Sequence, residues 1–195
     1  MKRFVFSLCL IFALFTIASA QQTSGHMTFK GIPINGTLNS FVNKLKLKGY
    51  KYIDTDNGVA LLSGDFASYK RCIIGVVSSK EKDLVIKVAV IFPSHDCWAP
   101  IESNYLTLKE MLTKKYGKPS ECIETFQAYS QPDDDNTKMG YLGLNQCKYL
   151  TVFETKNGTI ELELANKGYT EGNVILSYYD AENQKTVMSD AMDDL

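Results

Sequence analysis

The pattern that most constrains the fold is a repeated alternation of apolar and polar residues in short segments joined by turns. In the segment 84–92, apolar side chains stand at every second position, as expected for a strand with one buried face. The linkers before it have turn-forming compositions, among them Asp56-Asn57-Gly58 and the segment 79–83. Connections this short join antiparallel neighbours, because a parallel pair needs a long crossover. The pattern predicts strands at 27–34, 50–54, 59–63, 69–78, 84–92, 121–127, 146–154, 159–165 and 173–180.

A helical segment precedes each main group of strands. Leu38, Phe41 and Leu45 recur at helical spacing, with Thr37 as a candidate N-cap and Gly49 as a stop signal. After a predicted loop at 93–101, a second helix is expected to begin with Ser103 or Asn104 as its cap. The apolar stripe of this second helix comprises Tyr105, Leu108, Met111 and Leu112.

The order of elements predicts an α+β fold made of two tandem helix-plus-β-meander repeats, with the helices packed on one face of an antiparallel sheet. The first half spans 27–102 and the second spans 103–181, followed by a polar tail at 182–195. The segment that starts at Cys72 aligns with the one that starts at Cys147, which favours an internal duplication. The alternative is that helix-plus-meander is a common local solution and arose twice without shared ancestry.

The N-terminus has the composition of a secretory signal peptide. Lys2 and Arg3 precede an apolar run at 4–17, and Ala18-Ser19-Ala20 provides the small residues of a cleavage site. Removal of residues 1–20 leaves about 175 residues and changes the formal charge from -1 to about -3. No cysteine follows Ala20 closely enough for acylation, so we expect a soluble periplasmic or extracellular product with a flexible leader at 21–26 and no membrane span. The absence of clustered Lys and Arg argues against nucleic acid as a partner.

Four cysteines remain in the mature chain, and an even number in an exported protein predicts two disulfides. A hairpin centred on the segment 133–136 would place Cys122 opposite Cys147, at a separation that a disulfide can span. Cys72 would then pair with Cys97. The alternative is four free thiols buried as small hydrophobic side chains.

Few motifs carry chemistry. His95 and Cys97 are candidates for metal ligands or for a base and its nucleophile, but no second cluster of ligands lies nearby in the sequence. The segment 133–135 could supply carboxylates to calcium, although it lacks the spacing of a calcium loop and is more typical of a solvated hairpin tip. We therefore expect no catalytic residue, no metal and no cofactor.

Aromatic residues are the remaining candidates for recognition, because Tyr and Trp offer a large contact area at low entropic cost. Tyr178 and Tyr179 must point to opposite faces of their strand. The candidate binding residues are Trp98, Tyr149, Tyr178 and Tyr179. The alternative is that these rings are present because sheets favour aromatic residues.

The segments 29–38, 62–72 and 108–119, together with the tandem arrangement, resemble the beta-lactamase-inhibitor-protein architecture. They are also similar to the small lipoprotein of the outer-membrane barrel-assembly machinery and to uncharacterised secreted bacterial proteins. The resemblance implies a fold and a binding role, and it carries over no functional residue. We expect an exported, non-catalytic, inhibitor-like module that binds a protein or extended ligand through an open sheet face. The alternatives are an envelope scaffold or assembly accessory protein and, third, a hydrolase.

Overall fold

The computed structural model describes residues 25–193, which form an α+β fold with four helices and a large antiparallel sheet. The helices are α1 (Leu38–Leu47), α2 (Trp98–Tyr116), α3 (Asp135–Gly143) and α4 (Ala181–Asp193). The strands are β1 (Thr28–Phe29), β2 (Ile32–Pro33), β3 (Lys51–Asp56), β4 (Val59–Phe66), β5 (Tyr69–Ser78), β6 (Val85–Ile91), β7 (Glu121–Phe126), β8 (Cys147–Thr155), β9 (Gly158–Asn166) and β10 (Gly172–Asp180). The α+β class predicted from the sequence is confirmed. The predicted signal peptide at 1–20 lies outside the described residues.

Eight strands form the main sheet in the order β3-β4-β5-β6-β10-β9-β8-β7. Each group of consecutive strands is a meander, and the last strand of the first group, β6, pairs with the last strand of the second, β10. All of these pairings are antiparallel, which is the arrangement that the short turns predict for the strands they join.

The two faces of this sheet differ in burial, and we call them the core face and the outer face. The core face carries a row of buried side chains in cross-strand register, with Leu62 opposite Ile74 and Leu176 between Val90 and Leu162. The alternate residues, which define the outer face, are mostly only half-buried. One buried cluster joins the core face to the apolar stripes of α1 and α2.

Helix α1 forms where the sequence predicts it. The Thr37 side chain accepts a hydrogen bond from the Ser40 backbone N–H, as an N-cap does. The chain leaves the helix through Gly49, whose φ of 92° is readily adopted only by glycine. The buried residues of α1, which include Phe41 and Leu45, belong to the predicted apolar stripe.

Helix α2 begins at Trp98 with Cys97 as its N-cap, six or seven positions before the predicted caps Ser103 and Asn104. Pro100 lies in the first turn, where a missing backbone N–H removes no helical hydrogen bond. The buried stripe therefore extends towards the N-terminus to Trp98 and Ile101, in the segment predicted as a loop.

Two other segments also differ from the prediction. The sequence places a hairpin tip at 133–136, whereas Asp134 caps α3 by accepting hydrogen bonds from the backbone N–H and the hydroxyl of Thr137. The predicted strand at 27–34 is a small hairpin of β1 and β2, which turns through Lys30 and Gly31 at positive φ. Among the described residues, no helix is both long and apolar enough to cross a bilayer.

Candidate functional site

The outer face of the sheet presents an apolar row that crosses five strands. Ile73 lies opposite Ile91, which in turn lies opposite Ile175. Glu163 and Leu150 continue the row across β9 and β8. All five residues are partly exposed. The row therefore offers three isoleucine side chains to solvent on β5, β6 and β10, followed by the Glu163 carboxylate on β9.

Two buried polar atoms on this face make no hydrogen bond with any described residue. They are Oδ1 of Asn173 and Oγ of Ser177, whose residues are 7% and 1% exposed. Both residues lie on β10, on either side of Ile175, and both alternate with the core residues Val174 and Leu176. Buried polar atoms nearly always have a hydrogen-bond partner, and for these two atoms it is an ordered water molecule or a group of a bound segment.

Glu163 adds an unpaired carboxylate to the same place. Its cross-strand neighbours are Ile175 and Leu150, and no described residue forms an ion pair or hydrogen bond with it. Burial raises the pKa of this carboxyl group above its usual value, and the charge of Lys87 only partly opposes that effect. The carboxylate would be stabilised by a cation supplied from outside the chain.

Basic residues lie at the opposite end of the outer face. Asn173 borders a cavity of about 390 Å³ whose wall includes Arg71, Ile73, Ile91 and Lys167. Lys167 is paired with Glu171 at 3.1 Å. The backbone N–H of Arg71 donates to Asp65 Oδ1 at 3.3 Å, but its guanidinium group forms no ion pair with an acidic side chain among the described residues. The outer face is therefore basic near Arg71 and acidic near Glu163.

Tyr179 is the one predicted aromatic residue whose position on its strand places it on the outer face. Its cross-strand neighbours are Lys87 and Thr159. The hydroxyl accepts a hydrogen bond from Lys87 Nζ at 2.8 Å, and the same ammonium group lies 4.5 Å from the ring centroid. The ring is thus held in place on the outer face, four residues from Ile175 along β10.

The other three predicted binding residues lie in the core. Trp98 is 1% exposed, Tyr149 is 7% exposed and Tyr178 is 6% exposed. Trp98, the first residue of α2, contacts Tyr149 of β8 with 5.3 Å between the ring centroids. Tyr178 packs edge-on against Phe29 at 5.6 Å. Trp98 and Tyr149 thus serve packing, because a stripe of rings on a helix and a strand fills the space between them.

The four cysteines among the described residues are free thiols, contrary to the predicted disulfides. Helix α3 makes the connection between β7 and β8 asymmetric, so Cys122 lies opposite Thr151 and Cys147 lies opposite Phe126. Four residues of strand separate the two positions, about 13 Å, which is beyond the reach of a disulfide. Cys72 is buried in β5, and Cys97 is exposed at the start of α2.

The geometry around His95 does not favour a nucleophile–base pair. Nε2 of His95 lies 3.4 Å from the side-chain nitrogen of Asn104, and the Cys97 thiol donates instead to Asp96 at 3.4 Å. That hydrogen bond, with the charge of Asp96, raises the pKa of Cys97 above its usual value. A raised thiol pKa lowers the thiolate fraction and with it nucleophilic reactivity. Nor do the described residues contain a cluster of three or more His, Cys, Asp or Glu arranged to hold a metal.

Sequence reasoning missed the polar residues of the outer face. Glu163 reads as one of two carboxylates on a solvent-facing strand, because Glu161 stands two positions before it. Asn173 and Ser177 alternate with the apolar residues of β10, which is the only signal they give. Comparison with models of known protein families, with curated proteins and with solved structures finds no match for this chain.

Proposed function

We propose that this protein is a non-catalytic, inhibitor-like binding module that holds an extended segment of a protein partner on the outer face of its sheet. The proposal includes export, with residues 1–20 removed as a signal peptide. The observation that carries it is the group of unpaired polar atoms on that face, Asn173 Oδ1, Ser177 Oγ and the Glu163 carboxylate. All three accept hydrogen bonds, so the partner supplies N–H donors and at least one cation.

A two-half architecture supports this choice of face. In the strand order, one meander is the mirror image of the other about the β6–β10 pair. The stripes of α1 and α2 belong to the same buried cluster as the core-face residues. Helices that cover a single face leave the other to solvent or to a partner.

The charges on the outer face set the direction of the bound segment. Arg71 is on β5 and Glu163 is on β9, three strand spacings away in the sheet order, or about 14 Å measured across the strands. An extended chain covers that span in about four residues. The matching segment therefore carries an acidic residue and a basic residue about four positions apart, with apolar residues between them to contact Ile73, Ile91 and Ile175.

Selection from a displayed random-peptide library against residues 21–195 tests the proposal. We expect the enriched peptides to have an Arg or Lys about four positions from an Asp or Glu. Binding should be lost in Glu163→Lys and in Arg71→Glu, and weakened in Glu163→Gln, which keeps the size of the side chain. Glu110→Lys on the exposed surface of α2 is the matched control and should bind as the wild type does.

A double charge reversal makes the test specific. The Arg71→Glu, Glu163→Lys variant should recover binding only to peptides in which the two charges are exchanged. Peptides that bind wild type and Glu163→Lys equally well would refute a role for the outer face. Selection that enriches no peptide family would count against the binding function itself.

A further inference from the structure

A pair of adjoining cavities on the core side of the sheet lies outside the surface described above. One, of about 150 Å³, has an apolar wall that includes Leu108, Leu112 and Leu176. The other, of about 280 Å³, opens beside the β1–β2 hairpin. The two share Phe66, Ala67, Lys115, Tyr116 and Tyr178 as lining residues. Together they form a cleft between the β4–β5 turn and the C-terminal part of α2.

The turn that bounds this cleft has an unusual backbone. Ala67 and Ser68 are consecutive non-glycine residues with φ values of 48° and 71°. Residues other than glycine, asparagine and aspartate seldom adopt this region, and such conformations persist where the surrounding structure requires them. Here the turn places Phe66 against Phe29, with stacked rings 5.5 Å apart, and holds Ala67 at the cleft wall.

The hydroxyl of Tyr178 is one polar group of the cleft that makes no hydrogen bond among the described residues. Tyr178 is 6% exposed, its ring packs against Phe29, and its hydroxyl makes no hydrogen bond with any described residue. A tyrosine hydroxyl can both donate and accept a hydrogen bond. A ligand atom in the cleft is well placed to be its partner.

Two lysines set the charge of the cleft mouth. Lys30 lies 5.9 Å from the ring centroid of Phe66, and Lys115 lies 4.9 Å from that of Tyr116. Neither forms an ion pair with an acidic side chain among the described residues. The nearby Glu110 is already paired with Lys114 at 2.6 Å. The open end of the cleft is therefore cationic, whereas its inner end is apolar.

We infer that this cleft binds a single-chain amphiphile with a carboxylate head group, that is, a free fatty acid. The acyl chain lies along Leu108, Leu112 and Leu176, and the carboxylate accepts hydrogen bonds from Lys115 Nζ and the Tyr178 hydroxyl. The apolar cavity, at about 150 Å³, is below the lower limit of about 300 Å³ for ligand pockets, which favours one acyl chain over a bulkier apolar group. This site is on the opposite side of the sheet from the peptide surface and does not depend on it.

Titration calorimetry with dodecanoate below its micellar concentration tests the inference on residues 21–195. We expect saturable binding of one dodecanoate, weakened at least tenfold by Lys115→Gln, because a charge-assisted contact is lost. Tyr178→Phe should weaken binding several-fold. Tyr179→Phe, one residue away on the opposite face, is the matched control and should leave it unchanged.

Two further ligands separate the head group from the chain. Dodecyltrimethylammonium has the same chain and the opposite charge, and it should not bind. Vesicles of phosphatidylglycerol test whether a phospholipid, not a free fatty acid, is the source of the anionic chain. The inference is overturned if dodecanoate fails to bind, if Lys115→Gln binds it as tightly as wild type, if the cationic ligand competes equally, or if the protein binds vesicles but not dodecanoate.

Discussion

Nδ1 of His26 lies 3.1 Å from Oδ1 of Asp180, which ties the beginning of the described chain to the end of β10. Asp180 is fully buried and also accepts hydrogen bonds from the backbone N–H groups of Met27, at 2.6 Å, and Asn183, at 2.9 Å. The other ring nitrogen of His26 faces the side-chain nitrogen of Asn35 at 2.8 Å. Because a side-chain nitrogen of Asn can only donate, Nε2 of His26 is the acceptor and Nδ1 carries the proton.

Removal of this carboxylate should destabilise the protein. Asp180→Ala leaves the buried N–H groups of Met27 and Asn183 without an acceptor, so we expect a loss of about 2–4 kcal/mol in the free energy of unfolding. Urea denaturation followed by circular dichroism measures it. Asp133→Ala, which removes an exposed carboxylate, is the control and should change stability by less than about 0.5 kcal/mol. Equal unfolding midpoints for the two variants would contradict a structural role for Asp180.

Glu163 should make stability depend on pH. Burial raises the pKa of its carboxyl group, so the folded state binds the proton more tightly than the unfolded state, whose value is about 4.3. The contribution of protonated Glu163 to the free energy of unfolding is therefore fully present below pH 4, and it is lost as the pH rises through the pKa of the folded state. Relative to wild type, Glu163→Gln should gain stability at pH 7 and not at pH 3.5. The gain should be below about 1 kcal/mol, because water screens a partly exposed carboxylate.

Thermal unfolding of wild type and Glu163→Gln at both pH values provides the measurement. Glu110→Gln is a matched control with the opposite sign. Its partner Lys114 lowers the pKa of the Glu110 carboxyl group, so that variant should not gain stability at pH 7. If Glu163→Gln and wild type differ in unfolding temperature by the same amount at pH 3.5 and at pH 7, the Glu163 carboxylate is not destabilised by burial.

The thiols should differ in reactivity with an alkylating reagent. Cys97 and Cys122 are exposed and should be modified first under native conditions. Cys72 is fully buried and its pKa is raised by burial, so it should react only after unfolding. Cys147 is partly exposed, and burial raises its pKa to about 12, so it should react in the native state more slowly than Cys97 and Cys122. Mass spectrometry of peptides from native and denatured samples distinguishes the four. A non-reduced peptide that joins Cys122 to Cys147 would contradict the register of β7 and β8.

Local signals in the sequence predict much of this fold, and long-range relationships account for what they miss. Thr37, the apolar stripe and Gly49 specify α1 within a dozen residues, so its limits follow from the sequence. The register between Cys122 and Cys147 depends on α3, whose short and weakly amphipathic segment resembles a turn. Likewise, nothing near His26 in the sequence indicates that it meets Asp180, because the contact spans 154 positions.

The outer face illustrates the same limit. Alternation along β10 shows that Tyr178 and Tyr179 point in opposite directions, but it does not show which of them faces the core. That choice depends on which strands pair with β10. One of them, β6, lies about 85 residues earlier in the chain, and the other, β9, lies about 15 residues earlier. Phe29 then contacts Tyr178, and Lys87 contacts Tyr179.

Gly158, the first residue of β9, should tolerate no side chain. Its φ of 146° disfavours other residues, and a Cβ atom there would overlap the backbone carbonyl oxygen of Tyr179. Because Gly158 pairs with Asp180, relief of the overlap would move the end of β10 and disturb the buried carboxylate. We expect Gly158→Ala to lower the free energy of unfolding by about 2–4 kcal/mol.

Gly140 provides the contrasting control. It lies in α3 at a negative φ, with no neighbouring atom near the position of a Cβ, so Gly140→Ala should raise stability by up to about 1 kcal/mol through helix propensity alone. Urea denaturation of the two variants beside wild type gives both values. If Gly158→Ala has the same urea midpoint as wild type, the close contact between Gly158 and the backbone of Tyr179 is contradicted. The two substitutions add the same methyl group. Opposite changes in the free energy of unfolding would therefore show that the loss in Gly158→Ala comes from the backbone geometry at Gly158.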